Sequence, residues 1–312
     1  MTTETLLVRV VMPHYFRESS EASGYGSGRR GQRLARGLAL GRALSGLLAL
    51  QRSERDLVLN IGKRWLDLTP AAQTAGRVLP PLRLELHVFT HAGAALGEIL
   101  ELFGGQLKLH DIALEDPRRL ALAARDFLIQ AEPAADLNLY LEDDLVIDDP
   151  LFLDKQFWFL QSCSHQAVLM PHRQEPLPRR GGQRLLVDGP LRDAFIAQFT
   201  RPQAAIARGR FWTGEEVGFD RTANPHSGLF CLSRPQVEQL RATPLPDEGF
   251  IGPMETAATL TVLRHFSVMK PSLADRRFLR VEHGHPSFTA YASQWSISEP
   301  TGSNDAVSPP VG

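Results

Sequence analysis

Three adjacent carboxylates, Glu142, Asp143 and Asp144, are the residues of this sequence best placed to do chemistry. They follow the stretch Leu137 to Leu141, in which leucines alternate with polar residues and predict a strand. Adjacent carboxylates repel one another, so without a counter-charge at least one pKa should rise. A divalent cation removes this repulsion, and hard oxygen ligands suit Mn²⁺ or Mg²⁺. The cluster therefore predicts a metal site, against the alternative of a solvated acidic turn.

The place of the cluster along the chain favours the metal site over the turn. The cluster lies at the carboxyl end of a predicted buried strand, which is where α/β sheets place their ligands. Glu142 and Asp144 would share one face if that strand continued. Asp149, which precedes Pro150 slightly further on, is better explained as a helix cap.

Apolar stretches elsewhere predict the elements that position this cluster. The predicted strands are 6–12, 84–89, 107–114, 137–141, 167–170 and 226–233, and the predicted helices begin near 33, 116, 149 and 252. Strands that alternate with helices predict an α/β fold whose mostly parallel central sheet carries helices on both faces, as in Rossmann-like folds. Residues 173–190, rich in Pro, Gly and Arg, predict a mobile loop, and 295–312 predict a disordered tail.

The composition excludes several classes of protein. With 34 basic and 35 acidic side chains and a formal net charge of −1, the chain lacks the charge imbalance typical of nucleic-acid partners. No stretch approaches the roughly 18 apolar residues of an integral membrane segment. The two cysteines, Cys163 and Cys231, are too few for a disulfide-stapled domain and favour a reducing compartment. We therefore expect a cytoplasmic protein.

The acidic cluster also carries a family resemblance. The stretch LYLEDDLVIDDPLFL resembles the metal-binding DXD motif of GT-A-fold nucleotide-sugar glycosyltransferases, and it is most similar to the Glu-Asp-Asp form of N-acetylglucosaminyltransferases in N-glycan synthesis. The close match covers about fifteen residues. The resemblance implies that Asp144 binds Mn²⁺ or Mg²⁺, which bridges the two phosphates of a UDP-sugar. It also implies that Glu142 and Asp143 contact the nucleotide-sugar.

The same resemblance implies an acidic general base on the acceptor hydroxyl and a late histidine in the metal shell. Glu255, at the start of a predicted helix, is the candidate base, with Asp247 and Glu248 as substitutes. The alternative is that Glu255 only interacts favourably with the helix dipole. His283 and His285 are the candidate metal ligands, because imidazole is acceptable to Mn²⁺, and His283 is preferred.

Two further segments are candidates for contact with the donor. Ser227 and Gly228 could line the pocket where the donor sugar meets the acceptor, since glycine allows close approach, or they could be an ordinary strand entry. The loop Gly24–Gly31 matches neither P-loop nor Rossmann spacing, but it follows the first strand, where GT-A folds bind the nucleotide. Arg33 or Arg36 could then meet the diphosphate, the alternative being that this loop is flexible surface.

Together these residues predict a metal-dependent transferase that moves a sugar from a nucleotide-diphosphate donor to a glycan or another hydroxyl acceptor. We expect a single catalytic domain over 1–294, with a donor half of about 1–150 and an acceptor half of about 151–294. Two alternatives stay open. One is a sugar-phosphate nucleotidyltransferase, and the other is a non-catalytic metal- or sugar-binding protein.

Overall fold

The computed structural model describes residues 4–18, 28–177, 181–292 and 294–297. The strands in these ranges are β1 (Leu6–Pro13), β2 (Leu57–Asn60), β3 (Trp65–Leu68), β4 (Gln73–Thr74), β5 (Arg77–Val78), β6 (Leu82–His91), β7 (Lys108–Ile112), β8 (Leu137–Leu141), β9 (Leu145–Val146), β10 (Ala167–Leu169), β11 (His172–Pro176), β12 (Arg184–Leu186), β13 (Gln203–Arg210), β14 (Glu216–Arg221), β15 (Leu229–Ser233), β16 (Ser267–Pro271) and β17 (Arg280–His283). The helices are α1 (Arg33–Leu48), α2 (Gly97–Leu102), α3 (Leu120–Gln130), α4 (Phe152–Ser162), α5 (Asp193–Ile196), α6 (Arg234–Arg241), α7 (Pro253–Glu255), α8 (Thr261–Leu263) and α9 (Thr289–Ala292).

The central sheet has five strands in the order β15-β8-β1-β6-β7. β1 runs parallel to both β6 and β8, and β6 runs parallel to β7. Only β15, at one edge, is antiparallel to its neighbour β8. The prediction of an α/β fold with a mostly parallel central sheet is therefore confirmed.

Helices cover both faces of this sheet because the buried strands are apolar on both faces. In β1, Val8, Val10 and Met12 pack into one core together with Leu40 and Leu44 of α1. The opposite core, which takes Val11 from the same strand, contains apolar residues of α3, α6 and the 257–263 helical segment. The sheet thus separates two apolar layers, as the alternation of strands and helices predicted.

Two four-stranded sheets extend the fold beyond the central one. One has the order β10-β16-β14-β13, and the other has the order β12-β11-β17-β9. The prediction that 173–190 forms a mobile loop is wrong at 173–176 and 184–186, where β11 and β12 lie and Arg173, Gln174 and Glu175 are buried. Residues 178–180 of that stretch lie outside the described ranges. In the same sheet β17 pairs His283 with Leu145 of β9, and so brings this histidine next to the acidic cluster.

The helix ends agree with the capping residues read from the sequence. The Asp116 side chain accepts a hydrogen bond from the backbone N–H of Arg118, and Asp149 accepts one from Leu151 at 2.9 Å. The helix predicted after residue 252 begins at Pro253, but a π-helical segment, Thr256–Leu260, joins α7 to α8.

Some predictions fall wholly or partly outside the described residues. The tail predicted for 295–312 lies outside them except at 295–297, and so does the first half of the loop Gly24–Gly31, residues 24–27. Across the described ranges, no helix combines the length and apolar character needed to cross a membrane.

Candidate active site

The acidic cluster forms a turn directly after the central strand β8. The backbone N–H of Glu142 donates to the carbonyl of Gly228 at 3.0 Å, and the N–H of Leu145 donates to the carbonyl of Glu142 at 3.2 Å. The strand therefore stops at Leu141, and the expectation that Glu142 and Asp144 share a face of a continued strand does not apply. Asp143 and Asp144 lie together, and Glu142 faces a different group of residues.

Arg36 is the counter-charge of Asp143 and Asp144. It comes from the first turn of α1, and its Nη2 lies 2.7 Å from both carboxylate oxygens of Asp143 while its Nη1 lies 2.8 Å from Oδ2 of Asp144. Burial opposes the charge of Arg36, but the two aspartates outweigh burial and raise its pKa. Arg36 therefore supplies positive charge that offsets the repulsion between the two aspartates, and the sequence argument had not counted this charge. Its expected contact with a diphosphate stays a prediction.

His283 approaches Asp144 from the other side, held by the buried carboxylate of Glu175. Its Nδ1 is hydrogen-bonded to Glu175 Oε1 at 2.6 Å, and its Nε2 lies 3.5 Å from Asp144 Oδ2. Burial would lower the pKa of His283, but Asp144 and Glu175 raise it to about 9. Burial alone would raise the pKa of Asp144, and His283 and Arg36 instead hold it well below its usual range. The two carboxylates therefore favour the protonated form of His283 in the ion-free protein, and binding of a metal ion through Nε2 would release that proton.

Glu142 differs from its two neighbours because it lacks a close cationic partner. Its nearest cation is Arg173, at 3.7 Å from Oε2, and its buried Oε1 has no hydrogen-bond partner among the described residues. Burial raises the pKa of Glu142 to about 8; Arg173 opposes this shift, and the charges of Asp144 and Glu255 add to it. An unpartnered carboxyl oxygen beside a cluster of charges is available to a ligand that offers a hydroxyl or an amide.

Gly228 is required where β15 approaches this turn. Its φ is +67°, and a Cβ at this position would lie 2.6 Å from Glu142 Oε2 and 2.9 Å from Leu145 Cδ1. We predict that Gly228→Ala lowers the free energy of unfolding by about 3 kcal/mol, through left-handed strain and overpacking together. Gly76→Ala is the matched control, because Gly76 has φ +75° but open space around it, so only the strain of about 1–2 kcal/mol applies. If urea unfolding showed the same loss of free energy for Gly228→Ala and Gly76→Ala, the steric clash at Gly228 would be contradicted.

A buried ionic chain continues from Glu142 through Arg173 into the second half of the sequence. Arg173 Nη2 lies 2.8 Å from Asp188 Oδ1, and Lys270 Nζ lies 3.3 Å from Asp188 Oδ2. The Lys270 ammonium also donates to the backbone carbonyl of His226 at 2.6 Å. Burial would raise the pKa of Asp188, but Arg173 and Lys270 lower it to about 2. These contacts hold the entry to β15 rigidly against the acidic turn.

His226 is buried in its neutral form beside this chain, with Nδ1 2.8 Å from the Thr259 hydroxyl. Burial, followed by the charge of Arg173, lowers its pKa to about 3 from an ordinary 6.5. Below pH 6.5 His226 therefore binds a proton in the unfolded chain but not in the folded protein. The free energy of unfolding falls as the pH is lowered from 6.5 to about 3. We predict that lowering the pH from 7 to 5 decreases the free energy of unfolding of His226→Asn by about 2 kcal/mol less than that of the wild type. Parallel pH profiles in urea unfolding would show that His226 does not titrate in this way.

The remaining predicted residues divide into those near the cluster and those away from it. Glu255, in the first turn of α7, is close enough for its charge to raise the pKa of Glu142. Asp247 instead pairs with Arg119 at 2.9 Å on the surface, and Glu248 is exposed. Of the three acids, only Glu255 acts electrostatically on the cluster.

The other candidates have local partners. His285 Nε2 lies 3.2 Å from Gln32 Oε1, so His283 is the histidine that contacts Asp144. Ser227 donates its hydroxyl to the carbonyl of Pro171 at 2.7 Å. Arg33 forms a half-exposed ion pair with Glu98 at 2.7 Å, and it does not reach the aspartates that Arg36 binds.

The described residues contain no group of three or more His, Cys, Asp or Glu side chains arranged to hold a metal ion. The best-placed pair is Asp144 with His283. A cavity of about 630 Å³ lies nearby, beside α1, but its lining includes none of the predicted site residues. Its surface is mostly apolar, contributed by residues such as Ile99, Phe103 and Ile147. The charged cluster, and not this cavity, is therefore the candidate site.

Three residues of the site were missed by the sequence analysis. His14 follows β1 directly and its Nδ1 is hydrogen-bonded to Asp143 Oδ2. Arg173 and Glu175 lie in the stretch that was predicted to be a mobile loop. The signal that could have found them is the one used at 137–144, namely an apolar strand, here Ala167 to Met170, followed at once by polar residues.

Comparisons with known proteins are distant. No family model and no curated protein matches the chain. Among solved structures, S. aureus TarS 1–349 is 12% identical with a TM-score of 0.42, over 89% of this chain and 58% of that one. CMP:2-keto-3-deoxy-manno-octonic acid synthetase with CTP is 13% identical with a TM-score of 0.36, over 92% and 98%. The 4-diphosphocytidyl-2C-methyl-D-erythritol synthase of Anaerococcus prevotii is 8% identical with a TM-score of 0.34, over 86% and 89%.

This chain thus spans little more than half of the TarS structure that it matches. Identities of 8–13% establish neither a family nor an activity. The function of the chain is therefore argued from the residues at the carboxyl end of β8.

Proposed function

We propose that this chain is a metal-dependent glycosyltransferase of the GT-A type, which moves a sugar from a nucleotide-diphosphate donor, a UDP-sugar first of all, to the hydroxyl of a glycan or another acceptor. The observation that carries the proposal is the convergence of Asp143, Asp144, Arg36 and His283 at the carboxyl end of the central strand. This is the edge at which α/β sheets bind ligands, and the side chains bear both signs of charge. Residues 1–150 and 151–294 would provide the donor and acceptor halves.

The residues at Asp144 fit Mn²⁺ or Mg²⁺ in the type and orientation of their donor atoms. Asp144 offers carboxylate oxygens, and the Nε2 of His283 faces it at 3.5 Å. Glu175 binds the opposite ring nitrogen, which is how proteins orient a metal-ligating histidine. Two protein ligands are enough, because Mg²⁺-type ions usually take their other ligands from water and substrate phosphates. When bound, the ion would offset the negative charge that develops on the departing diphosphate.

Arg36 would then change partners when the donor binds. A guanidinium that holds two carboxylates in their ion-free form is suited to bind phosphate oxygens in the same bidentate way. Because Arg36 already contacts Asp144, the residue that would hold the ion, its guanidinium would be available to phosphate oxygens bound beside that residue. In this proposal Arg36 contacts the diphosphate, as the sequence analysis expected, but only when the donor and the ion are bound.

Other residues would complete the reaction. Glu142, with its unpartnered Oε1, and Asp143 would bind hydroxyl groups of the donor. Ser227 and Gly228, packed against Glu142, would border the donor sugar. Glu255 would take the proton of the acceptor hydroxyl if the reaction inverts configuration.

The proposal is tested by identifying which leaving group the protein releases. The protein is incubated with a panel of UDP-sugars and Mn²⁺, and in parallel with nucleoside triphosphates and sugar 1-phosphates. Release of UDP from the first set supports the proposal. Release of pyrophosphate from the second set would make the chain a nucleotidyltransferase, and ion binding without either product would make it a non-catalytic binding protein.

A further inference from the structure

The hairpin of β2 and β3 carries an apolar face that the rest of the described chain does not cover. Its strands pair with each other and, in the described ranges, with no third strand. Leu57 lies opposite Leu68, and Leu59 opposite Leu66, so side-chain alternation places all four on one face. They are 59%, 65%, 67% and 58% exposed, in that order. We call Leu57, Leu59, Leu66 and Leu68 the leucine face.

The opposite face of the hairpin satisfies its own side chains. Asn60 donates from Nδ2 to Asp67 Oδ2 at 2.8 Å, and its Oδ1 accepts from the N–H of Lys63 at 3.1 Å. The Lys63 ammonium lies over the Trp65 ring, 5.0 Å from its centroid. The two faces therefore differ, because this one combines locally paired polar groups with the half-exposed Val58 and Trp65, whereas the other presents only leucine.

The hairpin is closed at its base by two hydrogen bonds, and the residue Arg52 just before it is joined to α4. The N–H of Thr69 donates to the carbonyl of Asp56, and the N–H of Asp56 donates to the Thr69 hydroxyl, both at 2.9 Å. Arg52, just before the hairpin, forms a bidentate ion pair with Asp154 of α4 at 2.7 Å. A two-stranded hairpin is only marginally stable by itself, and four exposed leucines on one face are typical of an interaction site.

We propose that the leucine face packs against the same face of a second copy of this chain in a two-fold symmetric dimer. Two-fold symmetry pairs one patch with its own copy, so the patch must be self-complementary. The charges at the ends of the hairpin meet this requirement. Lys63 and Arg64 lie at its tip, and the segment Glu54–Asp56, which also contains Arg55 and has a net charge of −1 (two acids and one arginine), lies at its base. When the two hairpins run antiparallel, the basic tip of each lies beside the acidic base of the other.

The same charges argue against the two other arrangements. A dimer with both tips together would place four cations side by side, which is unfavourable. Insertion of the leucine face into an anionic membrane would also bring Glu54 and Asp56, at the base of the hairpin, towards lipid phosphates. The interface is small, so we expect a dissociation constant on the order of micromolar.

The first test is the molar mass of the full chain, measured by sedimentation velocity from about 1 to 100 µM, which brackets the expected affinity. The wild type should pass from monomer to dimer over this range. Leu66→Asp should weaken the dimer at least about tenfold, because it buries a charge in the apolar contact. Val58→Asp is the matched control, since Val58 lies on the opposite face of the same hairpin and is 51% exposed. Thermal unfolding checks that both variants are folded.

The second test addresses the antiparallel arrangement. Lys63→Glu with Arg64→Glu should weaken the dimer, and adding Glu54→Lys with Asp56→Lys in the same chain should restore it. A wild type that stays monomeric at 100 µM, or a dimer that Val58→Asp weakens as much as Leu66→Asp does, would overturn the proposal. Binding of the monomer to vesicles with anionic lipid, lost in Leu66→Asp, would assign the leucine face to a membrane instead.

Discussion

Replacement of Asp144 by asparagine is expected to abolish Mn²⁺-dependent nucleotide binding and to reduce sugar transfer by about 10²–10³-fold. Asparagine has nearly the same shape as aspartate, so it keeps the turn after β8, but it removes the negative charge that would hold the ion. Asp144 is also the residue that His283 and Arg36 both approach, so no neighbouring acid occupies an equivalent place. Initial rates of UDP release from a UDP-sugar measure the effect.

Asp148→Asn is the matched control for this substitution. Asp148 lies four residues further along, its side chain is half exposed, and its nearest cation is Arg280 at 3.7 Å. It should change the rate less than twofold, since exposed ion pairs contribute little. If Asp144→Asn and Asp148→Asn had similar rates, the ion would not be held at Asp144.

Replacement of Arg36 by methionine is expected to destabilise the ion-free protein by about 3–5 kcal/mol. The substitution leaves the buried Asp143 and the partly buried Asp144 together without their shared cation, while methionine keeps much of the apolar volume of the side chain. Mn²⁺ should then take the place of the lost charge. At about 100 times its dissociation constant it would return about 2.7 kcal/mol, measured by urea unfolding with Mn²⁺ and with EDTA.

Arg33→Met separates this effect from a general loss of charge on α1. Arg33 lies one turn earlier on the same helix, and its ion pair with Glu98 is half exposed, so its loss should cost at most about 1 kcal/mol. Mn²⁺ should stabilise the Arg36 variant more than the wild type, in which the guanidinium competes for the same carboxylates. Equal destabilisation by the two substitutions, or no response to Mn²⁺, would contradict the exchange of arginine for ion.

The parts of the fold that local patterns specify could be predicted from the sequence. The strand Leu137–Leu141 and the existence of α1 follow from the spacing of apolar residues over one or two turns or pleats, although Leu34 and Leu38 of α1 are exposed. The caps at Asp116 and Asp149 depend on the next two residues only. Because strands alternate with helices, it could also be inferred that most strands of the central sheet are parallel.

What could not be predicted depends on residues far apart in the sequence. Arg36 reaches Asp143 across 107 positions, and Glu175 reaches His283 across 108. The Pro and Gly residues after 176 made the whole stretch from 173 look irregular, although Arg173 and Glu175 belong to a buried strand that pairs with β17. The prediction of a repelling cluster that needs a metal ion was incomplete for this reason. It counted the charges within the turn and not those that the fold brings to it.

The most direct measurement of the central claim is calorimetric titration of the wild-type protein with UDP, once with Mn²⁺ and once with EDTA. Binding in the presence of Mn²⁺ and no detectable binding in EDTA is the predicted result, since in the proposed site Asp144 would hold the ion that offsets the charge of the diphosphate. UDP binding of equal strength in EDTA would mean that Arg36 alone receives the phosphates. An absence of binding in both titrations would contradict the assignment of this site to a UDP-sugar.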